Sequence, residues 1–526
     1  SSTTDPISFS DQAMEKRLKI LEQRGEDFFK KELDPLWKTH TLEYQQSLFG
    51  NHLLKPLPLS VGSSKEDARI NPLFLPFIGP LLEEFSRLLP IKENSQANAS
   101  GCGKTKLAYS LALEKGRLVF LIRLYYKLIS QAVRRIEKFS QLVYEKCNNP
   151  IQVARICLNA LRLMVLVHVD WGLHVVQLLQ KKGFSDSKQR EGCLRALQNG
   201  FGETVACLLL DHFLDETFLQ THEELVAEYK SMILRELEGK NVVFFFDEIA
   251  SLQGICPGIF YHWSEYKMTK ESGPQERIEV KKNKEMEGEK VGEQQADLFY
   301  GIRIIMEEFI ASHPKIPQVM ADTTFSLWAV IDISKKSPLR RRVAHFCRTQ
   351  SITVKQMVDF LRLYFTFSKS DCKSLQQNLK KFEGRPIFFF NDFLSKFLEL
   401  LPRHQGNIED MIENSAGSAF ALSVQSFSDR LQSHIHNNTN PEPKQIHTIS
   451  GLLDQIYFAL RMDEGRLTIT NTACRDLIEK GFLCPDLKED SKSEILIRIT
   501  EEPFCEALKQ VYDGIAFSRM SQFLFG

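Results

Sequence analysis

Apolar residues along this chain follow two rhythms. Spacings of three and four, the signature of a helix with one buried face, run through Gln12–Leu48, Leu73–Leu89 and Gly103–Glu114. They continue from Tyr126 to Lys240 (VARICLNALRLMVL; ELVAEYKSMILREL), then through Ile302–Ala311, Val354–Leu400 and much of Pro402–Pro443. Pro35 interrupts the first of these, and Gly384-Arg385-Pro386 breaks the stretch before Leu400. The second rhythm is a short unbroken apolar run, in Leu118–Leu124 (LVFLIRL) and Val242–Phe246 (VVFFF), with Gln318–Ile333 also strand-like. Runs without alternation belong to strands covered on both faces, as in a parallel sheet. A long helical stretch between two such strands predicts a helical insertion at 126–240.

Polar segments divide the rest. Gly50–Asn71 is rich in Pro, Ser and Gly and reads as a linker. Residues 267–297 mix charges with little apolar content and read as a disordered, solvated loop. The closing part, Ile446–Gly526, alternates helices (Leu452–Leu460, Ala473–Lys480, a last one from Pro503) with strands (Leu467–Thr470, Ile495–Ile499). The expected organisation is an N-terminal helical segment and linker (1–70), a core with its insertion (71–347), a helical lid and linker (348–445), and a winged-helix-like domain (446–526). The most apolar stretch, Leu161–Leu179, contains Arg162, His168, Asp170 and His174. Burying those groups in lipid costs several kcal/mol, so a buried helix of a folded domain is expected rather than a membrane span.

The candidate chemistry starts at Ser100-Gly101-Cys102-Gly103-Lys104-Thr105. A phosphate-binding loop points successive N–H groups at phosphate oxygens, and Gly101 and Gly103 permit the backbone angles this needs. Lys104 would reach the β- and γ-phosphates, and the Thr105 hydroxyl would ligate Mg²⁺. Ser100 and Cys102 complete the loop. Asn98 stands where the full pattern has Gly, and the segment before the loop (IKENSQANA) is polar where an apolar strand is expected.

The second motif is VVFFF followed by Asp247-Glu248. An Asp at the tip of such a strand can hold the magnesium, and the next Glu can polarise an attacking water. That pair selects ATPases with a catalytic glutamate, and with no guanine-reading NKxD downstream the nucleotide expected is ATP. In VMADTTFSLWAV, Thr324 or its neighbour Thr323 is the candidate γ-phosphate sensor; Arg385, after the helical lid, is a candidate catalytic arginine. Arg340-Arg341-Arg342 reads first as a solvated cluster, and the Glu-x-Lys in Ile278–Lys282 is too isolated to suggest a nuclease. The readings that compete with an ATPase are a degenerate scaffold binding partners without hydrolysis and a DNA-acting ATPase.

Charge and cysteine content sharpen this little. Sixty-seven basic residues balance sixty-seven acidic ones, so net charge supports neither a nucleic acid nor a membrane as partner. The eleven cysteines form no metal-type pair, and their odd number speaks against a complete disulfide framework, so an intracellular protein is expected. No leader is visible at the N-terminus, which does not begin with Met.

The chain resembles the P-loop ATPase region of crinkler-type effectors and the related retrotransposon hot spot proteins. The likeness rests on SGCGKTKLAYSLALEKGRLVFLIRL, on VARICLNALRLMVL in the helical insertion and on NVVFFFDEIASL. It continues through EGRP to DLIEKGFLCPDL and ITEEPFCEALKQVY, so that it spans roughly Leu73–Tyr512. The resemblance implies an α/β P-loop NTPase core with a parallel sheet, large helical insertion, helical lid and C-terminal winged-helix-like domain. It also implies ATP and Mg²⁺ as cofactors, Lys104, Thr105, Asp247 and Glu248 as working residues with Arg385 beside them, and an unidentified protein partner. A secreted effector acting inside a host cell is the alternative localisation it implies. The family's Gly-Thr step is replaced here by Asp322-Thr323-Thr324.

Overall fold

The structure is a computed structural model and describes residues 9–58, 87, 93–97, 104–124, 130–198, 200–252, 254–260, 298–312, 316–322, 343–346, 352–384, 389–401, 407–437, 456–457, 466–469, 484–486, 495–498 and 501–525. The N-terminal segment forms α1 (Phe9–Phe28), a π-helical turn (Phe29–Leu33), α2 (Asp34–Thr39) and α3 (Leu42–Phe49). Strand β1 (Glu93–Ala97) precedes α4 (Lys104–Leu113), and β2 is Leu118–Arg123. The insertion comprises α5 (Gln131–Lys146), α6 (Pro150–Lys181), α7 (Asp186–Gln198), α8 (Gly200–Phe213) and α9 (Phe218–Leu237). Then come β3 (Val242–Asp247), α10 (Leu298–Ser312), β4 (Gln318–Asp322) and β5 (Val343–Phe346). The segment expected to form a lid holds α11 (Val354–Tyr364), α12 (Lys369–Leu379), α13 (Phe389–Leu400) and α14 (Ile408–Asn437). Strands β6 (Arg466–Ile469), β7 (Cys484–Asp486) and β8 (Ile495–Arg498) and helix α15 (Glu502–Phe525) follow.

Among the described residues β1 to β5 form one sheet in the order β2-β3-β4-β1-β5, parallel at every pairing. Strand period sorts the side chains of β2 and β3 onto two faces. Val119, Leu121, Val243 and Phe245 pack with Leu107, Ala108, Leu111 and Ala112 of α4. Phe120, Ile122, Phe244 and Phe246 enter a larger core with the insertion helices and α1. A separate core holds the lid helices, the start of α15, and Phe49, Leu53 and Leu57 from the N-terminal segment.

Several expectations change here. The polar ENSQA of β1 lies inside the sheet, between β4 and β5, placed by backbone pairing rather than apolar content. Pro35 does not end the first helical run: helical backbone continues from Phe9 to Thr39, with the π-helical turn Phe29–Leu33 standing immediately before the proline, and the break comes at His40. Residues 51–58 are not free linker, because Leu53 and Leu57 are buried and buried Gln45 exchanges hydrogen bonds with both the N–H and the carbonyl of Leu57. Strands β5 and β7 fall where no strand was read, and β8 pairs antiparallel with both β6 and β7 in a small separate sheet. The segment 267–297 and most of 59–92 lie outside the described residues.

Helix α6 is long and apolar enough to cross a membrane by length and hydropathy, yet 72% of its most apolar window is buried inside the structure. Its polar residues meet partners there. Arg162 donates twice to Glu308 of α10, at 2.8 and 2.6 Å. Asp170, deep in the first core, accepts two hydrogen bonds from Arg17 of α1 and one from the Tyr229 hydroxyl of α9. Burial alone would weaken the Arg17 charge, but Asp170 holds the guanidinium firmly protonated. His168 sits with Nδ1 2.7 Å from the Met164 carbonyl and Nε2 3.7 Å from Glu203.

Removing one member of a buried ion pair leaves an uncompensated charge. Asp170→Ala is therefore expected to cost about 3–5 kcal/mol, and Arg17→Met with Asp170→Leu much less, measured by denaturant unfolding. A second outcome concerns pH. Burial pushes the His168 imidazole down, but Glu203 outweighs it, so the net shift is above the ordinary 6.5. Burial pushes Glu203 up, but His168 and the Ala132 N–H bring it below 4.5. The pair's contribution is lost as pH rises through the His168 value and as it falls through that of Glu203. Glu203→Gln should thus destabilise most between the ordinary carboxylate and imidazole values, 4.5 and 6.5, with the deficit shrinking as pH rises through the raised His168 value, followed by thermal unfolding across pH.

Candidate nucleotide site

Because the sheet is parallel, the carboxyl ends of its strands share one edge, where ligands of open α/β sheets bind. Residues 98–103 connect the carboxyl end of β1 to α4, whose first two residues are Lys104 and Thr105. The Thr105 hydroxyl donates a 2.6 Å hydrogen bond to Oδ2 of Asp247, the last residue of β3. Asp247 has the parity of Val243 and Phe245, which face α4, and it is almost wholly buried. Two motifs separated by 142 positions thus meet side chain to side chain.

Glu248 is built differently. It follows β3 with φ of 58°, the left-handed region, which costs a residue with a Cβ on the order of 1 kcal/mol. Hydrogen bonds hold it there. Its N–H donates to the Ala321 carbonyl of β4 (2.9 Å), and its own carbonyl accepts from Ser251 Oγ (2.8 Å), which also donates to Leu124 (2.6 Å). The turn leaves Glu248 half-buried beside the buried Asp247. Two adjacent carboxylates therefore have separate environments.

Arg123, to which sequence alone assigns no role, ends β2 in register with Asp247 and donates to the Gln198 carbonyl at the end of α7 (3.4 Å). Its only signal in the sequence is a charge closing an apolar strand. The Tyr109 phenol of α4 is pushed far up by burial, with Arg195 and Arg123 opposing and Asp247 adding to the shift. Burial also pushes Lys106 down to about 7, against the pull of Glu114. Lys104 has its backbone placed at the helix start. Ser100, Gly101, Cys102, Gly103, Thr324 and Arg385 lie outside the described residues, as do Asn98, Thr323 and Arg340–Arg342.

Thr105 and Asp247 offer the hard oxygens that magnesium prefers. Among the described residues no cluster of three or more His, Cys, Asp or Glu could cage a metal ion. The donor set suits an ion that keeps several waters and shares phosphate oxygens, as Mg²⁺ does.

No protein-family model and no curated protein matches the chain. Among solved structures it is similar to the Aeropyrum pernix ORC2 protein (ADPNP–ADP complexes), at 9% identity, with 86% of this chain and 98% of that one covered and a TM-score of 0.33. A likeness at that level carries no inference about fold or function.

The strained backbone makes its own forecast. Glycine adopts φ near 58° without strain, and the relief of on the order of 1 kcal/mol offsets the roughly 0.5–1 kcal/mol of extra chain entropy that a glycine loses on folding, so Glu248→Gly should remove the carboxylate without lowering stability in chemical denaturation.

Proposed function

We propose that the chain is a magnesium-dependent ATP-binding P-loop protein that hydrolyses ATP and works as a conformational switch. The observation that carries this reading is the Thr105–Asp247 hydrogen bond at the carboxyl edge of a parallel sheet. It places a hydroxyl at the start of α4 against a buried acid at the tip of β3, the two groups a Mg–nucleotide site needs. The position of β4 between β1 and β3 is consistent with a catalytic-glutamate ATPase.

In this reading Thr105 and Asp247 hold Mg²⁺, which when bound would neutralise phosphate charge and order the triphosphate. The N–H groups of 100–105 and Lys104 bind the phosphates, with Thr324 and Arg385 as proposed sensors of the γ-phosphate. Glu248 accepts a proton from the attacking water; its left-handed backbone, tied to β4 through Ala321, fixes where the carboxylate starts. Asp247 is buried against Thr105 and suits the metal, not proton transfer.

The crinkler-type resemblance supports an effector-like or mobile-element-associated role, and the odd number of cysteines supports an intracellular one. The two cores support a division between the sheet with its insertion and the lid, and the antiparallel β6-β8-β7 sheet supports a winged-helix-like element whose last helix, α15, shares the lid's core. The interior placement of polar β1 favours one competing reading, a nucleotide site retained without turnover.

Mg-dependent phosphate release by the wild type is expected to fall by about 100-fold or more in Lys104→Ala and in Glu248→Gln, with Glu248→Gln still binding ATP. Wild-type turnover no higher than that of both variants would remove the enzyme claim. ATP binding without turnover would leave the scaffold reading in its place.

A further inference from the structure

The N-terminal segment belongs to two cores at once. Ala13, Leu21, Phe28 and Leu33 are buried in the first, among the insertion helices, and Arg17 is bound to Asp170 of α6. His212 of α8 lies 3.0 Å from the Ala13 carbonyl, and Lys182 pairs with Glu26. A few residues on, Leu42 and Leu48 pack against the lid core, and Phe49, Leu53 and Leu57 are inside it. Trp37 still packs on the first core, so the crossing is made between Trp37 and Leu42.

The two docks are specific. On the insertion side a buried ion pair fixes α1. On the lid side Leu53 bridges Phe365 in antiparallel fashion, Leu54 N–H donates to the Tyr364 carbonyl (2.7 Å), and Thr366 N–H donates to the His52 carbonyl (2.9 Å). Gln45 and Gln46 clamp this stretch by bonding the backbones of Leu57 and Leu53. Between the docks the helix stops at His40, and Thr41 opens α3 in an extended conformation as its N-cap. No strand pairing spans this point, and the tie across it is the 3.3 Å hydrogen bond from Gln45 Nε2 to the Thr39 carbonyl.

The lid dock also lies near the nucleotide helix. Burial raises the Tyr364 phenol, and the Glu114 carboxylate, just past the end of α4, adds to it.

We propose that residues 34–58 form a strap that carries lid movement to the helical insertion, with His40–Thr41 as its pivot. The proposal rests on the nucleotide reading above, since binding at the carboxyl edge is what would move the lid. A lid displacement pulls on Leu53–Leu57; the chain transmits it through α3 and the pivot to α1; and α1, tied to α6 by Arg17–Asp170 and to α8 by His212, passes the load to both helices without parting from them. Coupling of this kind is a free energy between two sites and can be broken without removing either one.

Hydrogen–deuterium exchange of the full chain with and without Mg-ATP tests it. In the wild type, exchange should change at 104–113, in α11 and α12, and also in α1 and α8. A Gly-Ser-Gly-Ser insertion between His40 and Thr41 leaves both docks intact but slackens the strap. It should preserve the changes at 104–113 and in the lid while cutting those in α1 and α8 by about half or more. Gln45→Ala, which loosens the lid dock and also removes the bond from Gln45 Nε2 to the Thr39 carbonyl across the pivot, should do the same. Full-sized responses in α1 and α8 in both variants would overturn the strap, as would a wild type whose response stops at the lid. No wild-type change at 104–113 would sink the nucleotide reading itself and the strap with it.

Discussion

Everything at the candidate site depends on strand β3 being apolar on both sides. A run of Val and Phe can lie in the middle of a parallel sheet only if helices cover both faces. The chain supplies α4 on one face and the insertion with α1 on the other. The strand's period of two then decides where its last residue points. Val243 and Phe245 go to α4, so Asp247 goes there as well and meets Thr105. A slip of one residue would send that carboxylate into the apolar core around α6, where an unpaired charge is prohibitive. The packing that stabilises the sheet thus also enforces the register that builds the site.

The end of the same strand shows the opposite economy. Glu248 is held in a backbone conformation that its side chain disfavours, by hydrogen bonds to β4, to Ser251 and, through Ser251, to the residue after β2. Strain of this size is small beside the burial energy of a sheet with well-covered faces. Its effect is to separate two neighbouring acids, one buried against a hydroxyl and one half-exposed. Consecutive residues of a regular strand would differ only by face; the turn adds a difference in exposure.

What the sequence made legible follows the strength of its periodic signals. VVFFF, LVFLI and the helices of 130–237 were readable because their positions are set by apolar burial, and apolar burial leaves a pattern. Strand β1 left none: its place comes from main-chain pairing with β4 and β5, which ENSQA allows but does not advertise. The four-residue β5 and the three-residue β7, which contains Pro485, are too short to establish a period. Residues 51–58 looked like a linker because what anchors them is partly a distant glutamine, Gln45, bonding backbone groups. In the site, the Thr105–Asp247 pairing was legible from motif chemistry. The left-handed turn at Glu248 and the register of Arg123 were not, since both depend on neighbours across the sheet.

The distribution of buried polar groups says which parts of the molecule move together. Asp170 joins α6 to α1 and α9, and Arg162 joins α6 to α10, the helix before β4. Gly202 sits so tightly against the Ala196 carbonyl that an added Cβ would lie 1.7 Å away, which closes the corner between α7 and α8. The insertion and the sheet share one continuous core, so deforming one against the other would break close packing at many points. The lid has a core of its own. Contacts made or lost at a γ-phosphate amount to a few kcal/mol, enough to reposition one packed body beside another and too little to reorganise a shared core. Any switch driven from the carboxyl edge therefore works at the boundary between the two cores, and the insertion answers as a unit with the sheet.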